Sequence, residues 1–331
     1  MRIMTVALLL GSISFVLAAD PPQQRKPVVL TDAALELHRS CLVVDGHNDL
    51  PWVFREQASG AFTELDITRA QPKIHTDIPR LKKGGVGAQF WSAYVPVSTR
   101  KEKTAVRDTL EQIDTIHRMI KRYPETFELA LTADDIVRIR KAGKIASLIG
   151  VEGGHSIDNS LGVLRILHQL GVRYMTLTHT ETLDWADSAT DEPRSKGLSE
   201  FGAQVIAEMN RLGMLVDISH VSVDTMKDAL RLSKAPVIAS HSSAFALCEH
   251  PRNVPDEVLK LLPRNGGVIM VNFYPGFLTP EGARFSKEMF SFWRDAAKKY
   301  PNDEERKLAW AQFKKEHPLP GCDVHVVVDH I

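Results

Sequence analysis

Histidine and acidic side chains follow short apolar runs at five places in this 331-residue chain. The first is the run at Leu42, Val43 and Val44, which leads into His47 and Asp49. Residues two apart on a strand point to the same face, so these two side chains would project together from one strand end. One nitrogen and one oxygen ligand suit a borderline cation such as zinc. Taken alone, the stretch is also compatible with a core strand that ends in a turn.

Four later apolar runs with the pattern of buried strands also end in a residue that can bind a metal. These residues are Glu152, His179, His220 and His241. Buried polar groups need individual compensation, so five such endings are not expected in unrelated cores. The ends of strands at one rim of a parallel barrel are where that architecture places its active site. The pattern therefore predicts a metal-centred active site.

The elements that would position these residues alternate between strands and amphipathic helices. Apolar residues at spacings of three and four mark a helix over 106–120, and Thr132 with Asp135 forms a capping-box pattern. Ser199 and Ser222 are N-cap candidates for two later helices. Strand and helix in alternation with short connections indicate parallel βα units. No glycine-rich phosphate loop follows the first strand, which argues against a dinucleotide-binding sheet.

Seven strands can be counted, with a seventh candidate at 268–273. A closed (β/α)8 barrel needs eight strands and about 250 residues. The region 280–315 instead has a charged helical pattern, and 322–331 resembles the start of another helix. We therefore expect an α/β fold, a TIM-like (β/α)8 barrel of the metal-dependent hydrolase type, with the last strand and helix missing from this chain. The first and seventh strands would then have unpaired edges.

Composition and charge narrow the function classes. Apolar content of 44% and charged content of 25% are typical of a globular protein. The formal net charge is zero and there is no long basic block, so we expect no nucleic-acid partner. The three cysteines, Cys41, Cys248 and Cys322, do not form a disulfide scaffold, and the sequence selects no pair.

The N-terminus has the features of a secretory signal. Arg2 precedes the apolar run 6–17, and small residues follow at Ala18 and Ala19. We expect a signal peptide at 1–19, a single domain at 20–331, and export to a secreted, periplasmic or extracellular-surface location. The run is short for a membrane span, although an uncleaved anchor is the alternative. No other membrane anchor is visible in the chain.

Several segments, in this order, resemble the membrane (renal) dipeptidase family of zinc peptidases. The matching segments are 45–52, 84–94, 152–155, 177–179, 217–222, 240–244, 251–253 and 272–274. The whole resemblance extends from about residue 35 to residue 280. The resemblance implies a (β/α)8 barrel that holds two zinc ions. It implies that His47 and Asp49 bind the first Zn²⁺, that Glu152 bridges both ions, and that His220 and His241 complete the second.

The resemblance also assigns the substrate contacts. His179 would contact the scissile carbonyl oxygen in the tetrahedral intermediate, and Arg252 would pair with the free C-terminal carboxylate of a dipeptide. The implied activity is zinc-dependent hydrolysis of dipeptides by a metal-bound hydroxide. His155 follows closely on Glu152, and we favour a supporting role for it over metal binding. Trp52 and Tyr274 could either shape the pocket or pack in the core.

Two functional alternatives stay open at this point. Family members carry a further Asp after an eighth strand as the proton-transferring group, whereas this chain ends in a segment similar to the preceding helix. A catalytically impaired, truncated member is therefore one alternative. Another is a different binuclear-zinc amide or lactam hydrolase on the same scaffold. A homodimer is compatible with the sequence, which does not determine the oligomeric state.

Overall fold

The computed structural model describes residues 25–58, 62–300 and 302–331. The predicted signal peptide at 1–19 lies outside the described residues, so both it and the 20–331 domain boundary stay predictions. No helix within the described ranges combines the length and apolar character that crossing a membrane requires.

The described residues contain eight strands, all paired in parallel. They are β1 Val43–Asn48, β2 Val86–Tyr94, β3 Phe127–Leu129, β4 Ile145–Glu152, β5 Val172–Thr176, β6 Leu215–Asp217, β7 Ile238–Ser242 and β8 Val268–Val271. The hydrogen-bonded order is β1-β2-β4-β5-β6-β7-β8, and β3 pairs only with β4. The seven-strand path matches the seven strands that the sequence predicts. The three-residue β3 was missed because it is too short to show alternation.

Fourteen helices surround or follow these strands in the described residues. They are α1 Asp32–Ser40, α2 Leu50–Ala58, α3 Ile78–Lys83, α4 Ser98–Glu102, α5 Ala105–Arg122, α6 Ala133–Lys141, α7 Leu161–Gln169, α8 Glu200–Leu212, α9 Val223–Leu232, α10 Asp256–Leu259, α11 Leu262–Asn265, α12 Pro280–Lys299, α13 Asp303–Glu316 and α14 Val324–Asp329. Short 3₁₀ turns occupy Gly154–Ile157 and Pro275–Phe277. The predicted capping box of Thr132 and Asp135 starts α6, and the Ser199 and Ser222 side chains cap α8 and α9.

Two apolar clusters hold the barrel together. The larger one packs the outer faces of the strands against the helices, with Trp91 on β2 and Ile116 on α5 both fully buried. The smaller one takes alternate residues of β2, β4, β5 and β7, including Phe90, Leu148 and Tyr174. Because side chains alternate along a strand, this second cluster faces the inside of the barrel. The two-sided burial explains why the strands are nearly continuous apolar runs.

The barrel is nearly closed, with a seam between its first and last strands. The ladder order places β1 and β8 at its two ends, without backbone pairing between them in the described residues. The backbone of β1 still lies close to β7 and β8, because a Cβ at Gly46 would overlap the Met270 sulfur and the Ser240 carbonyl. Every residue of β4 is buried, whereas Val268 at the start of β8 is 48% exposed. The predicted TIM-like fold class is confirmed.

Candidate metal centre

Glu152 lies at the centre of a cluster of histidines at the C-terminal end of the barrel. It is the last residue of β4 and is only 4% exposed. Its Oε1 lies 3.0 Å from Nε2 of His220 and 3.3 Å from Nε2 of His241. Its Oε2 lies 3.5 Å from Nε2 of His47. The two carboxylate oxygens therefore face two different sets of imidazoles.

The remaining predicted ligands lie on either side of this carboxylate. Asp49 follows β1, its side chain is 53% exposed, and its Oδ1 is 3.2 Å from Nε2 of His47. His179 follows β5, with its Nε2 3.8 Å from Oε1 of Glu152. The structure thus brings all six predicted metal-cluster and carbonyl-contact residues to one rim, although they are separated by up to about 190 positions in the chain.

Two triads in the cluster have ligand atoms within 4.8 Å of one another, and both contain Glu152. The first adds His47 and His241, and the second adds His179 and His220. The sequence resemblance instead grouped His241 with His220 and left His179 for the substrate. His220 and His241 both lie near Oε1 of Glu152. The ring centre of His241 nevertheless lies nearer that of His47, at 3.9 Å, than that of His220, at 5.0 Å, so the grouping stays a prediction.

His47 is held by a tyrosine from the far side of the barrel. Its Nδ1 is 2.8 Å from the hydroxyl of Tyr174 on β5. The Tyr174 ring fits inside the barrel because the facing position on β4 is Gly150, where any Cβ would overlap the ring. Gly150 and Glu152 are two apart on one strand, so the same face provides both the space and the carboxylate.

His241 is oriented by a chain of hydrogen bonds that ends at Asp217. The Asp217 carboxylate accepts from the hydroxyls of Thr176 at 2.6 Å and Ser240 at 2.7 Å, and from two backbone amides. Because the Ser240 proton is used on Asp217, its oxygen is free to accept from Nδ1 of His241 at 2.8 Å. This places the histidine proton on Nδ1 and directs the lone pair of Nε2 towards Glu152. Such partners fix the tautomer of metal-binding histidines.

His220 has an unusual backbone conformation. Its φ is 67°, in the left-handed region that a residue with a Cβ rarely adopts. The His220 carbonyl accepts from the backbone amide of Ala189 at 2.8 Å, and the hydroxyls of Thr178 and Ser188 lie 3.3 Å away. These contacts from neighbouring loops hold the strained residue, and strain of this kind concentrates at functional sites.

The electrostatics of the cluster favour a bound cation. Burial lowers the pKa of His241 to about 4 and that of His220 well below 6.5, so both imidazoles are neutral near pH 7. Burial alone would raise the pKa of Glu152, but His47, His220 and His241 outweigh it and hold the carboxylate ionised. Burial alone would likewise lower the pKa of His47, which Tyr174 and Glu152 raise well above 6.5. Binding of a cation at His47 would release that proton.

The donor set therefore fits a metal ion. The Nε2 lone pair of His241 faces a carboxylate oxygen at 3.3 Å, which is an arrangement of two acceptors with no proton between them. A cation between them would satisfy both groups. Nitrogen and oxygen donors converging from strand ends are the ligand types that zinc takes in enzymes.

Arg252 lies beside the cluster as a buried cation. It is 3% exposed, and none of the carboxylates in the described residues lies within 4.0 Å of its guanidinium. Nη2 of Arg252 is 3.4 Å from the carbonyl oxygen of His241, Nε has no hydrogen-bond partner, and the guanidinium carbon lies 5.0 Å from the ring centre of Phe277. Burial lowers the pKa of Arg252 to about 10, so it is still charged at neutral pH. An unpaired buried cation of this kind is suited to an anionic ligand.

Aromatic residues line the side of the cluster next to β2. The Trp52 ring packs edge-on against Tyr94, with centroids 5.0 Å apart, and the Tyr94 ring lies 5.0 Å from His179. His155 is 3% exposed and its Nε2 is 3.1 Å from the carbonyl oxygen of Val95, which agrees with a supporting role. Tyr274 packs edge-on against Phe277.

The residues that support the cluster were not among those predicted from the sequence. Tyr174 and Asp217 sit inside two of the predicted strands, where they were read as part of the apolar runs. The available signal was a polar residue at an inward position of a buried strand, since such a residue needs a partner. Phe277 gave no comparable signal because its role depends on where a later turn lies.

Comparison with known proteins identifies the family. The sequence matches the membrane dipeptidase family, peptidase family M19, over residues 31–331. The chain belongs to this family. Over 257 residues it is 48% identical to dipeptidase 3 of Mus musculus, a match that covers 75% of this chain and 50% of the relative. Over 250 residues it is 47% identical to dipeptidase verJ of Clonostachys rogersoniana, with coverage of 72% and 64%. The chain thus spans about half the length of dipeptidase 3.

Solved structures share the fold. The probable dipeptidase PvdM from Pseudomonas aeruginosa superposes with a TM-score of 0.73 at 23% identity, over 90% of this chain and 81% of that chain. A metallo peptidase from Rhodobacter sphaeroides, liganded with a phosphinate mimic of the dipeptide L-Ala-D-Ala, gives a TM-score of 0.65 at 25% identity, over 73% and 76%. These likenesses agree with the barrel derived from the strand order.

Proposed function

We propose that this chain forms the active centre of a zinc-dependent dipeptidase. The observation that carries the proposal is the buried Glu152 carboxylate, which meets three imidazole nitrogens within 3.5 Å beside the unpaired cation of Arg252. A metal cluster next to a fixed positive charge is suited to a small substrate with a free carboxylate. Family membership and the dipeptidase relatives support the same reaction class.

Two Zn²⁺ ions are proposed, with Glu152 between them. Its Oε2 faces His47, which is followed by Asp49, and its Oε1 faces His220 and His241. Each side thus offers at least two protein ligands besides the shared carboxylate. When bound, a pair of zinc ions lowers the pKa of a shared water and polarises the peptide carbonyl.

The protein's own groups would orient the dipeptide. Arg252 would hold the terminal carboxylate through two parallel hydrogen bonds, with the planar guanidinium supported by the Phe277 ring. His179, whose Nε2 is 3.8 Å from Glu152, would donate a hydrogen bond to the developing oxyanion. Because Arg252 would hold the carboxylate of the C-terminal residue, cleavage would fall on the peptide bond that precedes this residue. The dipeptide mimic bound by the Rhodobacter sphaeroides relative is consistent with this substrate class.

Release of free amino acids from a dipeptide panel tests the proposal. We expect hydrolysis of dipeptides, loss of that activity in a chelator, and recovery on addition of Zn²⁺. C-terminal dipeptide amides should react far more slowly because they offer Arg252 no carboxylate. Activity that is unaffected by complete removal of metal would reject the proposal.

Another binuclear-zinc amide or lactam hydrolase is the second candidate. One relative by structure is an amidohydrolase from Pseudomonas aeruginosa, with a TM-score of 0.61 at 26% identity over 75% of this chain and 67% of that chain. A broad β-lactam profile with negligible dipeptide cleavage would favour this candidate. Dependence of the rate on a free substrate carboxylate would favour the dipeptidase.

Export through the predicted signal at 1–19 is part of the proposal. N-terminal sequencing of the protein recovered from outside the producing cell would test it, with a mature chain expected to start near Asp20.

Size measurement in solution would decide between a monomer and a homodimer.

A further inference from the structure

The segment that carries Arg252 is not part of a helix or strand. This segment, the Arg252 loop, comprises residues 243–254 between β7 and α10. Its guanidinium lies over Phe277, which belongs to the separate turn Pro275–Phe277. The position of the cation therefore depends on how the loop and the turn are fastened to each other.

Asn253 connects the Arg252 loop to the turn by hydrogen bonds. Its Nδ2 donates to the carbonyl oxygens of Cys248 at 2.9 Å and Phe277 at 2.8 Å, and its Oδ1 accepts from the backbone amide of Ser243 at 3.1 Å. Asn253 is 1% exposed. This side chain ties the end of the loop both to the start of the loop and to the turn.

His330, just after α14, provides the second fastening. It is 8% exposed although α14 itself has no buried residue. Its Nδ1 lies 3.0 Å from the backbone nitrogen of Ala244, and its Nε2 lies 3.0 Å from the carbonyl oxygen of Leu278. The amide of Ala244 can only donate, so Nδ1 must accept, and the ring proton must lie on Nε2 and be donated to Leu278. One neutral tautomer therefore bridges the loop and the turn.

We propose that His330 is a positioning residue for the substrate-carboxylate site, acting through the Arg252 loop and the Phe277 turn. The inference rests on the proposed dipeptidase function. His330 contacts neither the metal cluster nor the guanidinium, so its loss should affect recognition of the carboxylate and leave the metal cluster intact. Asn253 and His330 both hold the loop against the turn. Without the hydrogen bonds of His330, the loop can adopt positions in which Arg252 no longer contacts the substrate carboxylate.

Two conservative variants separate the two hydrogen bonds of His330. His330→Asn keeps an acceptor near the Nδ1 position for Ala244, and His330→Gln keeps a donor near the Nε2 position for Leu278. His330→Ala removes both. The matched control is His325→Ala on the same helix, whose Nε2 contacts only the Lys26 carbonyl at 3.1 Å in the exposed N-terminal segment. It removes a side-chain contact of α14 that does not involve the Arg252 loop.

The test compares a dipeptide with its C-terminal amide. We expect His330→Ala to raise KM for the dipeptide about tenfold, with kcat within about twofold and zinc content unchanged. The rate preference for dipeptide over amide should fall by a similar factor. The Asn and Gln variants should fall between wild type and Ala, and His325→Ala should match wild type. A purely structural role would lower both substrates' rates together and leave their ratio unchanged, which would overturn the proposal.

Amide hydrogen exchange gives a readout that does not depend on activity. We expect His330→Ala to speed exchange in peptides covering 243–254 and 275–278, with exchange in β4 and β5 unchanged. Unchanged exchange in the loop would overturn the inference even if the wild-type enzyme cleaves dipeptides. If His330→Ala speeds exchange in the loop but the wild-type protein does not cleave dipeptides, the result counts against the proposed function and not against the role of His330 in holding the loop. If the Ala variant does not fold, the Asn and Gln variants carry the same comparison.

Discussion

The two halves of the candidate site are built differently. The proposed metal-binding half (the strand half) lies on the ends of β1, β4 and β7 and on the residues just after β5 and β6. Its histidines are held by groups from other strands and from loops. The proposed carboxylate-binding half (the loop half) consists of Arg252 on a loop, supported by Phe277 on a separate turn. The loop and the turn are held together by side-chain hydrogen bonds of Asn253 and His330, whereas the strands are held by backbone hydrogen bonds.

This difference assigns different tasks to the two halves. A metal cluster needs donors fixed to within fractions of an ångström, and strand ends next to one another provide this. Recognition of a carboxylate needs one cation at a set distance, which a fastened loop can provide. Substitutions in the strand half should therefore reduce metal content and kcat, whereas substitutions in the loop half should change KM and substrate selectivity.

The largest effect is expected from Glu152→Gln. The amide removes the charge that both sides of the cluster share, so bound zinc and kcat/KM should fall by about 10³-fold or more. Metal analysis and dipeptide hydrolysis measure the two losses. Glu128→Gln, at an ion pair on β3 outside the site, is the matched control and should keep both. Full zinc content in Glu152→Gln would count against its central role.

Arg252→Met should come next. Loss of the buried cation is expected to lower kcat/KM for dipeptides about 100-fold, mainly through KM, with zinc content retained. The rate for the dipeptide amide should change little. Arg264→Met, which removes an exposed cation, is the control. An equal loss for dipeptide and amide would show that Arg252 does not recognise the carboxylate.

Asp217→Asn tests the chain that orients His241. The amide cannot accept from the hydroxyls of both Thr176 and Ser240 with the same geometry, so the tautomer of His241 is no longer fixed. Zinc affinity should fall about 10- to 100-fold, as measured by competition with a chelating dye. Asp77→Asn alters another fully buried carboxylate, one that caps α3, and should leave zinc affinity unchanged. Unaltered zinc affinity in Asp217→Asn would show that this hydrogen-bond chain does not contribute to metal binding.

The smallest effect is expected from pH, measured here in the loop half. Burial and the nearby Arg252 lower the pKa of His250 to about 4, and its Nδ1 accepts from the Arg252 amide at 3.1 Å. An unfolded loop would bind that proton near pH 6.5, so the folded loop keeps its full stability above 6.5 and loses it as pH falls towards 4. Amide exchange in 243–254 should speed up a few-fold over that window, after correction for intrinsic rates. His250→Asn keeps an acceptor without titrating and should abolish the acceleration.

The strand half could be predicted from the sequence to a large extent. Five apolar runs that end in His, Asp or Glu gave both the βα order and the residues that meet at Glu152, because strand ends of a parallel barrel share one rim. The inward polar residues Tyr174 and Asp217 were missed, since a strand pattern does not reveal which strand its inner face meets. The short β3 was missed for lack of length.

The loop half could be predicted only through family resemblance. Arg252 has no local pattern that distinguishes it from a surface arginine. Its burial comes from contacts with Phe277 and His241, and the loop is fastened by His330, which lies 78 positions further on in the chain. Such contacts between loops depend on the assembled barrel and leave no periodic trace in the sequence.

The proposed pair of zinc ions at Glu152 can be tested by anomalous diffraction at the zinc edge, on crystals of the protein grown with Zn²⁺. We expect two peaks about 3.5–4 Å apart on opposite sides of the Glu152 carboxylate, one next to His47 and the other next to His220 and His241. Zinc bound elsewhere, or no peak within coordinating distance of Glu152, would contradict it.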